Sequence, residues 1–119
     1  MTREEFLDRC IAFSVKINKL RKYLREKQHE YNNSDQIQRS GTSIGANYSE
    51  ACNAESRADF AHKLGIAQKE AYETMYWLEL LKATDYIDDK LFYSIYADAE
   101  ELMRMLTASI ITVKKRLKK

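Results

Sequence analysis

No proline occurs in this chain of 119 residues, and only three glycines do. Proline interrupts helices, whereas strands and hairpins need the turn chemistry of glycine, proline or Asn-Gly sequences. A sequence with abundant Lys, Glu, Leu and Ala and so few turn residues is typical of an all-α protein. The length suits one core, so we expect a single domain over residues 1–119.

Four amphipathic segments, separated by short polar breaks, predict helices over roughly residues 3–30, 34–53, 56–83 and 88–116. Side-chain oxygens at the starts of these segments are placed to cap the first turn. The predicted caps are Thr2 with Glu5, Asn33 with Gln36, Ser56 with Asp59, and Asp88. Short connections force sequential helices to lie antiparallel. The predicted fold is an up-down-up-down antiparallel four-helix bundle.

Apolar residues recur every three or four positions, and these rows predict the helix faces that form the core. The first helix carries Phe6, Cys10, Phe13, Ile17, Leu20 and Leu24, with Leu7, Ile11 and Val15 expected to widen the buried face. The third carries Phe60, Leu64, Ala67, Ala71, Thr74, Leu78 and Leu81. The fourth carries Phe92, Tyr96, Ala99, Met103, Leu106, Ile110, Val113 and Leu117.

A second row on the third helix mixes glutamates with apolar residues: Ile66, Glu70, Glu73, Trp77 and Leu80. Such a row suits neither a solvent face nor a core, so it predicts a second contacted face. The second helix contains Gly41 and Gly45, each of which costs about 1 kcal/mol relative to alanine inside a helix. Close approach of a neighbouring backbone explains both glycines, either within the bundle or across a subunit contact.

Polar residues of the second and third helices are predicted to meet when these helices fold back about a turn near Glu55. Arg39 then lies level with Glu70, and Asn47 with Lys63. An arginine beside two carboxylates one turn apart can donate forked hydrogen bonds. We expect a partly buried interface network that sets helix pairing or subunit register. Its members are Arg39, Ser43, Asn47, Glu50, Glu70, Glu73 and Trp77.

Catalysis and metal binding find little support in the sequence. No nucleophile or histidine accompanies these carboxylates, which argues against acid–base chemistry. Di-iron bundles use Glu-x-x-His pairs, and the chain offers Glu26 with His29 and Asp59 with His62. Because the first and third helices run parallel, the two pairs fall at opposite ends of the bundle. We expect no enzymatic activity, no metal and no cofactor.

The distribution of charge is more informative than the net value of +2. One basic cluster lies late in the first helix and another at the end of the fourth, whereas residues 70–101 are mostly acidic. This polarity is compatible with nucleic-acid binding, although a solvated face with a basic tail explains it equally well. The candidate contacts are Lys16, Lys19, Arg21, Lys22, Arg25, Lys27, Lys114, Lys115 and Arg116.

Neither export nor membrane insertion is indicated. The charged N-terminal residues lack the apolar run of a signal peptide, and no segment approaches the ~20 apolar residues of a membrane span. Cys10 and Cys52 are isolated, without the spacing of a disulfide framework or a metal site. We expect a cytoplasmic protein with no membrane partner.

One stretch resembles a known family: residues 39–44 (RSGTSI) and 47–51 (NYSEA), followed by Ser56, Phe60, Leu64, Ala67, Glu70, Glu73 and Leu78. It is similar to the four-helix-bundle proteins encoded in intervening sequences of bacterial 23S ribosomal RNA genes. More distantly, it resembles the accessory variability proteins of diversity-generating retroelements. The resemblance implies a homopentameric ring without enzymatic activity. Because the retroelement relatives are associated with nucleic acid and a reverse transcriptase, it also implies RNA or a nucleic-acid-processing protein as partner.

Two functions stay open at this point. In the first, a homo-oligomer binds RNA through its basic surfaces. In the second, the protein is a protein–protein interaction scaffold that uses the second row of the third helix and has no affinity for nucleic acid. Reversing the charge of Arg21, Lys22 and Arg25 is expected to abolish the first function and to spare the second.

Overall fold

The computed structural model describes residues 1–118, which form four α-helices. They are α1 (Arg3–Lys27), α2 (Asn32–Cys52), α3 (Arg57–Ala83) and α4 (Asp89–Leu117). No strand occurs in this described range. The helices pack into an elongated body of 52 × 23 × 20 Å. Within residues 1–118, none of the helices combines the length and the apolar character that crossing a membrane requires.

Contacts between the helices show the direction in which each one runs. Residues near the start of one helix meet residues near the end of the next. Three cross-helix hydrogen bonds illustrate this relation, namely Arg21 to Asp35, Thr74 to Ser40, and Gln68 to Thr107. Helix α4 also contacts α1, which closes the arrangement. The predicted up-down-up-down four-helix bundle is therefore confirmed.

The core is built from the apolar seams of all four helices. All six seam residues predicted on α1 are buried, and so are the predicted α3 residues from Leu64 to Leu81. Phe60, at the start of the α3 seam, is only half-buried. One polar pair also lies in the core, because the hydroxyls of Ser40 and Thr74 are fully buried and share a hydrogen bond of 2.9 Å.

Gly41 and Gly45 allow α2 to approach α1 closely. A Cβ atom at Gly41 would lie 2.8 Å from Cγ1 of Ile17, and one at Gly45 would lie 2.9 Å from the Cβ of Cys10. Both distances are shorter than the ~3.5–4.0 Å of an ordinary carbon–carbon contact. These two glycines therefore serve packing within the bundle. At Gly65 in α3, by contrast, nothing lies within 4 Å of the corresponding position.

Three of the four predicted helix caps are confirmed. Thr2 and Glu5 form a capping box at the start of α1. The Ser56 side chain accepts a hydrogen bond from the Asp59 amide at the start of α3, and Asp88 caps α4 in the same way. Each cap satisfies backbone N–H groups that have no partner inside the helix.

The connection between α1 and α2 differs from the prediction. Helix α1 ends at Lys27 rather than near residue 30, because His29 adopts a left-handed conformation with φ of 53°. The chain then turns back, and the Glu30 carboxylate accepts hydrogen bonds from the amides of Asn33 and the residue after it, at 3.2 and 2.8 Å. Asn33 thus lies inside α2, and its predicted capping role with Gln36 is wrong.

The buried face of α1 is narrower than predicted. Ile11 and Val15 are 55% and 47% exposed, and Leu7 is half-buried. A helix at the corner of a bundle buries only the stripe that faces its neighbours, and both exposed residues lie outside that stripe. The prediction that these residues widen the core is wrong for Ile11 and Val15.

The buried row of α4 is also shifted from the predicted one. Ile95 and Leu102 are buried, whereas the predicted Tyr96 and Met103 are half-buried and Leu117 is exposed. Both rows follow helical spacing, so the apolar pattern alone did not distinguish them.

Candidate nucleic-acid interface

The basic cluster of α1 is partly neutralised by carboxylates of neighbouring helices. Lys16 is paired with Asp98 of α4, while Arg21 and Arg25 share Asp35 of α2 at 3.0 and 3.3 Å. The remaining members have no carboxylate partner within residues 1–118: Lys19, Lys22 and Lys27. Two carboxylates therefore offset two of the six positive charges of the predicted cluster.

The basic cluster of α4 is exposed, and none of its members pairs with a carboxylate of residues 1–118. Lys114, Lys115 and Arg116 project in three directions, because successive helical residues are ~100° apart. Arg116 lines a crevice beside the start of α1, and Lys114 lines a groove against α3 together with Lys69 and His62. The end of α4 thus carries positive charge around its circumference.

The two clusters lie at opposite ends of the bundle. Each occupies the C-terminal part of its helix, and α1 and α4 run in opposite directions. The structure therefore does not bring the nine candidate nucleic-acid contacts together into one surface of a single subunit.

The polar residues of α2 and α3 divide into two groups. Arg39 hydrogen bonds to Glu70 at 3.4 Å and to Glu73, so these three side chains do come together between the helices. The hydrogen bond to Glu73 raises the pKa of Arg39. Burial raises the pKa of Glu70 above its ordinary value, although Arg39 opposes the shift. The cluster links α2 to α3 through a carboxylate that is partly removed from water.

The other polar residues of the predicted network bond mainly within their own helix. Ser43 donates to the Arg39 carbonyl at 2.6 Å, and Asn47 donates to the Ser43 carbonyl at 2.8 Å. Glu50 lies 3.9 Å from Lys63 of α3, which is the distance of a weak surface ion pair. The structure thus does not extend the Arg39 cluster along α2.

Trp77 lies on the same side of α3 as the Arg39 cluster and is half-buried. Its ring packs edge-on against Tyr76, with centroids 5.1 Å apart. The indole N–H is buried without a hydrogen-bond acceptor among the described residues. An unmet buried donor costs about 1–3 kcal/mol.

A crevice of about 430 Å³ opens between the start of α1 and the end of α4. The Arg3 guanidinium lies over the Phe60 ring, 5.1 Å from its centroid, and Phe6 packs edge-on against Tyr48 at 4.4 Å. Arg116 lines the opposite wall. No periodic pattern in the sequence indicates this crevice, because its residues come from all four helices. The available signal was the placement of arginines and aromatic residues at helix ends that the antiparallel fold brings together.

Few of the described side chains are suited to metal binding or to nucleophilic catalysis. Within residues 1–118, no three His, Cys, Asp or Glu side chains are grouped so that they could hold a metal ion. Burial raises the pKa of the Cys10 thiol to about 12. This thiol therefore stays protonated at neutral pH, and a protonated thiol is a poor nucleophile.

The profile of the 23S rRNA-intervening sequence protein family matches residues 3–108. The chain belongs to this family. A crystal structure from Bacteroides thetaiotaomicron, of a protein with unknown function from the S23 ribosomal protein family, is 49% identical with a TM-score of 0.90. The similarity covers 92% of this chain and 98% of that one. A comparison with curated proteins finds no match.

Family membership confirms the resemblance that the motif between residues 39 and 78 indicates. The matched region contains the Arg39 cluster and the basic cluster of α1. It ends before the basic cluster of α4, because Lys114, Lys115 and Arg116 follow residue 108.

Proposed function

We propose that this protein is a non-enzymatic, homo-oligomeric helical bundle that binds RNA through its basic surfaces. The observation that carries the proposal is the uncompensated positive charge around the end of α4. The family, whose name refers to an intervening sequence of 23S rRNA, makes RNA the nucleic acid to test first. A protein with this role acts in the cytoplasm.

The charge at the end of α4 suits a phosphate backbone. Its lysines and its arginine are exposed and have no carboxylate partners within residues 1–118, so they are available to phosphates. Binding of this kind releases counterions and weakens as salt rises. The free lysines of α1, which are Lys19, Lys22 and Lys27, form a second and weaker site at the other end.

Self-association is supported by the outer side of α3. Gly65, Tyr72, Tyr76 and Ala83 fall within one stripe about 40° wide at ~100° per residue, opposite the buried seam. The tyrosines are 54% and 57% exposed, and Gly65 has open space around it. A partner helix could lie close against this stripe, and the resemblance implies that five copies close into a ring. A ring repeats each basic cluster once per subunit and so strengthens phosphate binding.

The lack of catalysis is supported by the state of the carboxylates and thiols. The carboxylates of Glu70 and Glu73 are paired with the Arg39 guanidinium, and the Cys10 thiol is buried and protonated. No cofactor is required for the proposed role.

The second candidate function is a protein–protein interaction scaffold without affinity for RNA. The exposed tyrosines of α3 favour it as well, because exposed aromatic side chains are common anchors of protein interfaces. A nucleic-acid-processing protein is the partner that the resemblance implies.

Light scattering on the purified protein, with and without a short structured RNA at low and moderate salt, separates the two candidates. An oligomer that gains mass with RNA at low salt and loses it at moderate salt supports RNA binding. An oligomer whose mass never changes refutes RNA binding and leaves the scaffold. A monomer refutes the assembly.

A further inference from the structure

We propose that the crevice between the start of α1 and the end of α4 binds an unpaired nucleobase, so that the protein selects single-stranded over duplex RNA. This inference rests on the proposed RNA-binding function and deepens it. Of the crevice residues, the sequence pattern marked Phe6 and Phe60 only as core residues and Arg116 as a nucleic-acid contact.

The shape of the crevice follows from the lengths of the helices. Helix α1 begins at Arg3, whereas α4 continues to Leu117. In the antiparallel register set by Arg9 and Glu101, the start of α1 faces α4 nearly three turns before α4 ends. Beyond that point no turn of α1 covers the side of α4 that carries Thr112 and Arg116. The bundle is therefore open at this end, where the half-buried Phe60 lines the crevice, whereas Phe6 and Tyr48 are only 5% and 7% exposed.

The lining of the crevice has the chemistry of a site for a planar, uncharged ring next to an anion. The half-buried Phe60 provides aromatic surface, Phe6 and Tyr48 add little because they are buried, and Arg3 and Arg116 provide positive charge. None of the lining residues is acidic. A nucleotide has the matching parts, because its base offers two π-faces and its phosphate is negative. The crevice has a volume of about 430 Å³, which falls in the ~300–1,000 Å³ range of small-molecule sites.

The contacts already present show how a base is held. Arg3 lies over the Phe60 ring at 5.1 Å from its centroid, and arginine guanidinium planes and aromatic rings are the two platforms on which proteins stack unpaired bases. Arg116, which lines the same crevice, then lies next to the phosphate of the bound nucleotide.

Duplex RNA cannot make these contacts, because its bases are stacked on one another and their faces are covered. A duplex binds only through phosphates, at the basic surfaces. A single strand gains the stacked base in addition, and loss of such stacking weakens binding by roughly tenfold.

The test uses the intact protein and two RNAs of equal phosphate number, one single-stranded and one duplex. Fluorescence anisotropy gives both affinities, and 2-aminopurine at one position of the single strand reports stacking by quenching. We expect tighter binding of the single strand, with quenched emission in the complex. The Phe60→Leu variant should bind the single strand about tenfold more weakly, with an unchanged affinity for the duplex. Tyr93 is an exposed aromatic residue at the other end of the bundle. The Tyr93→Leu variant should therefore bind both RNAs with unchanged affinity.

The 2-aminopurine signal of the unmodified protein does not depend on how well any variant folds, and circular dichroism checks the fold of Phe60→Leu. Equal affinities for the two RNAs with no quenching overturn the inference and leave RNA binding standing. Equal losses for both RNAs in Phe60→Leu overturn it also. Absence of binding to either RNA overturns the proposed function, and the inference with it.

Discussion

Replacing Gly41 by alanine should destabilise the protein, although alanine is the better helix former. The new Cβ would lie 2.8 Å from Cγ1, 3.0 Å from Cγ2 and 3.3 Å from Cβ of Ile17. Ile17 is β-branched and has no exposed surface, so it has no free space to enter. Overpacking of this kind costs about 1–3 kcal/mol, and the gain in helix propensity is only about 0.5–1 kcal/mol. We expect a net loss of about 1–2 kcal/mol.

Urea unfolding followed by circular dichroism measures this loss. With a slope of about 1–3 kcal/mol per molar urea, the midpoint should fall by roughly 0.5–1 M. Protein concentration must be held constant, because self-association contributes to apparent stability. The matched control is Gly65→Ala, with all variants measured at a protein concentration too low for self-association. Nothing in the subunit lies within 4 Å of the new Cβ, so the unfolding free energy should rise by about 0.5–1 kcal/mol. If Gly41→Ala raises the free energy of unfolding as Gly65→Ala does, the argument that Gly41 allows α1 and α2 to pack closely is wrong.

Three further predictions concern the α2–α3 pair and the outer side of α3. Thr74→Val should cost about 1–2 kcal/mol in urea unfolding, because it removes the hydrogen bond to Ser40 and leaves that buried hydroxyl only its 3.4 Å bond to the Ile37 carbonyl. The double variant with Ser40→Ala should be less destabilised than the sum of the single changes, and strict additivity would count against the bond. Because burial raises the pKa of Glu70, wild-type stability should fall as pH rises from 4.5 through that raised value. Glu70→Gln keeps an acceptor for Arg39 and should remove this decline, whereas an identical pH profile would refute the assignment. Tyr76→Lys should lower the mass seen by light scattering with helicity unchanged, and an unchanged mass would mean that the association surface lies elsewhere.

The helical seams were predictable because burial follows a simple period. The step of three or four from Phe6 to Leu24 marks the buried side of α1 correctly, and local cap chemistry identifies the start of the helix at Thr2. These signals depend on residues close together in the sequence. They needed no knowledge of the neighbouring helices.

The errors arose where tertiary contacts decide the outcome. Ile11 and Val15 have the character of core residues, but α1 has no third neighbour to cover them. Glu30 caps α2 only because His29 turns the chain back. One tertiary contact was nevertheless predictable, because the turn near Glu55 places Arg39 level with Glu70.

The position of charge in the fold was also beyond the sequence pattern. The cluster from Lys16 to Lys27 looks stronger than the one at the end of α4. Asp98 and Asp35, which pair with three of its six residues, come from other helices. The crevice around Phe60 is lined by residues near the ends of all four helices. A pattern local to one segment cannot predict such a site.

The most direct test of the proposed function is the salt dependence of single-stranded RNA binding by two charge-neutralised variants. One variant carries Lys114→Gln, Lys115→Gln and Arg116→Gln, and the other carries Lys19→Gln, Lys22→Gln and Lys27→Gln. Each phosphate contact contributes about 0.7 to the slope of log K against log salt for a single strand. We predict that the α4 variant loses up to about 2 in this slope, with a much smaller change in the α1 variant. An unmodified protein without measurable affinity for RNA, or an α4 variant that retains the full slope, would contradict the account.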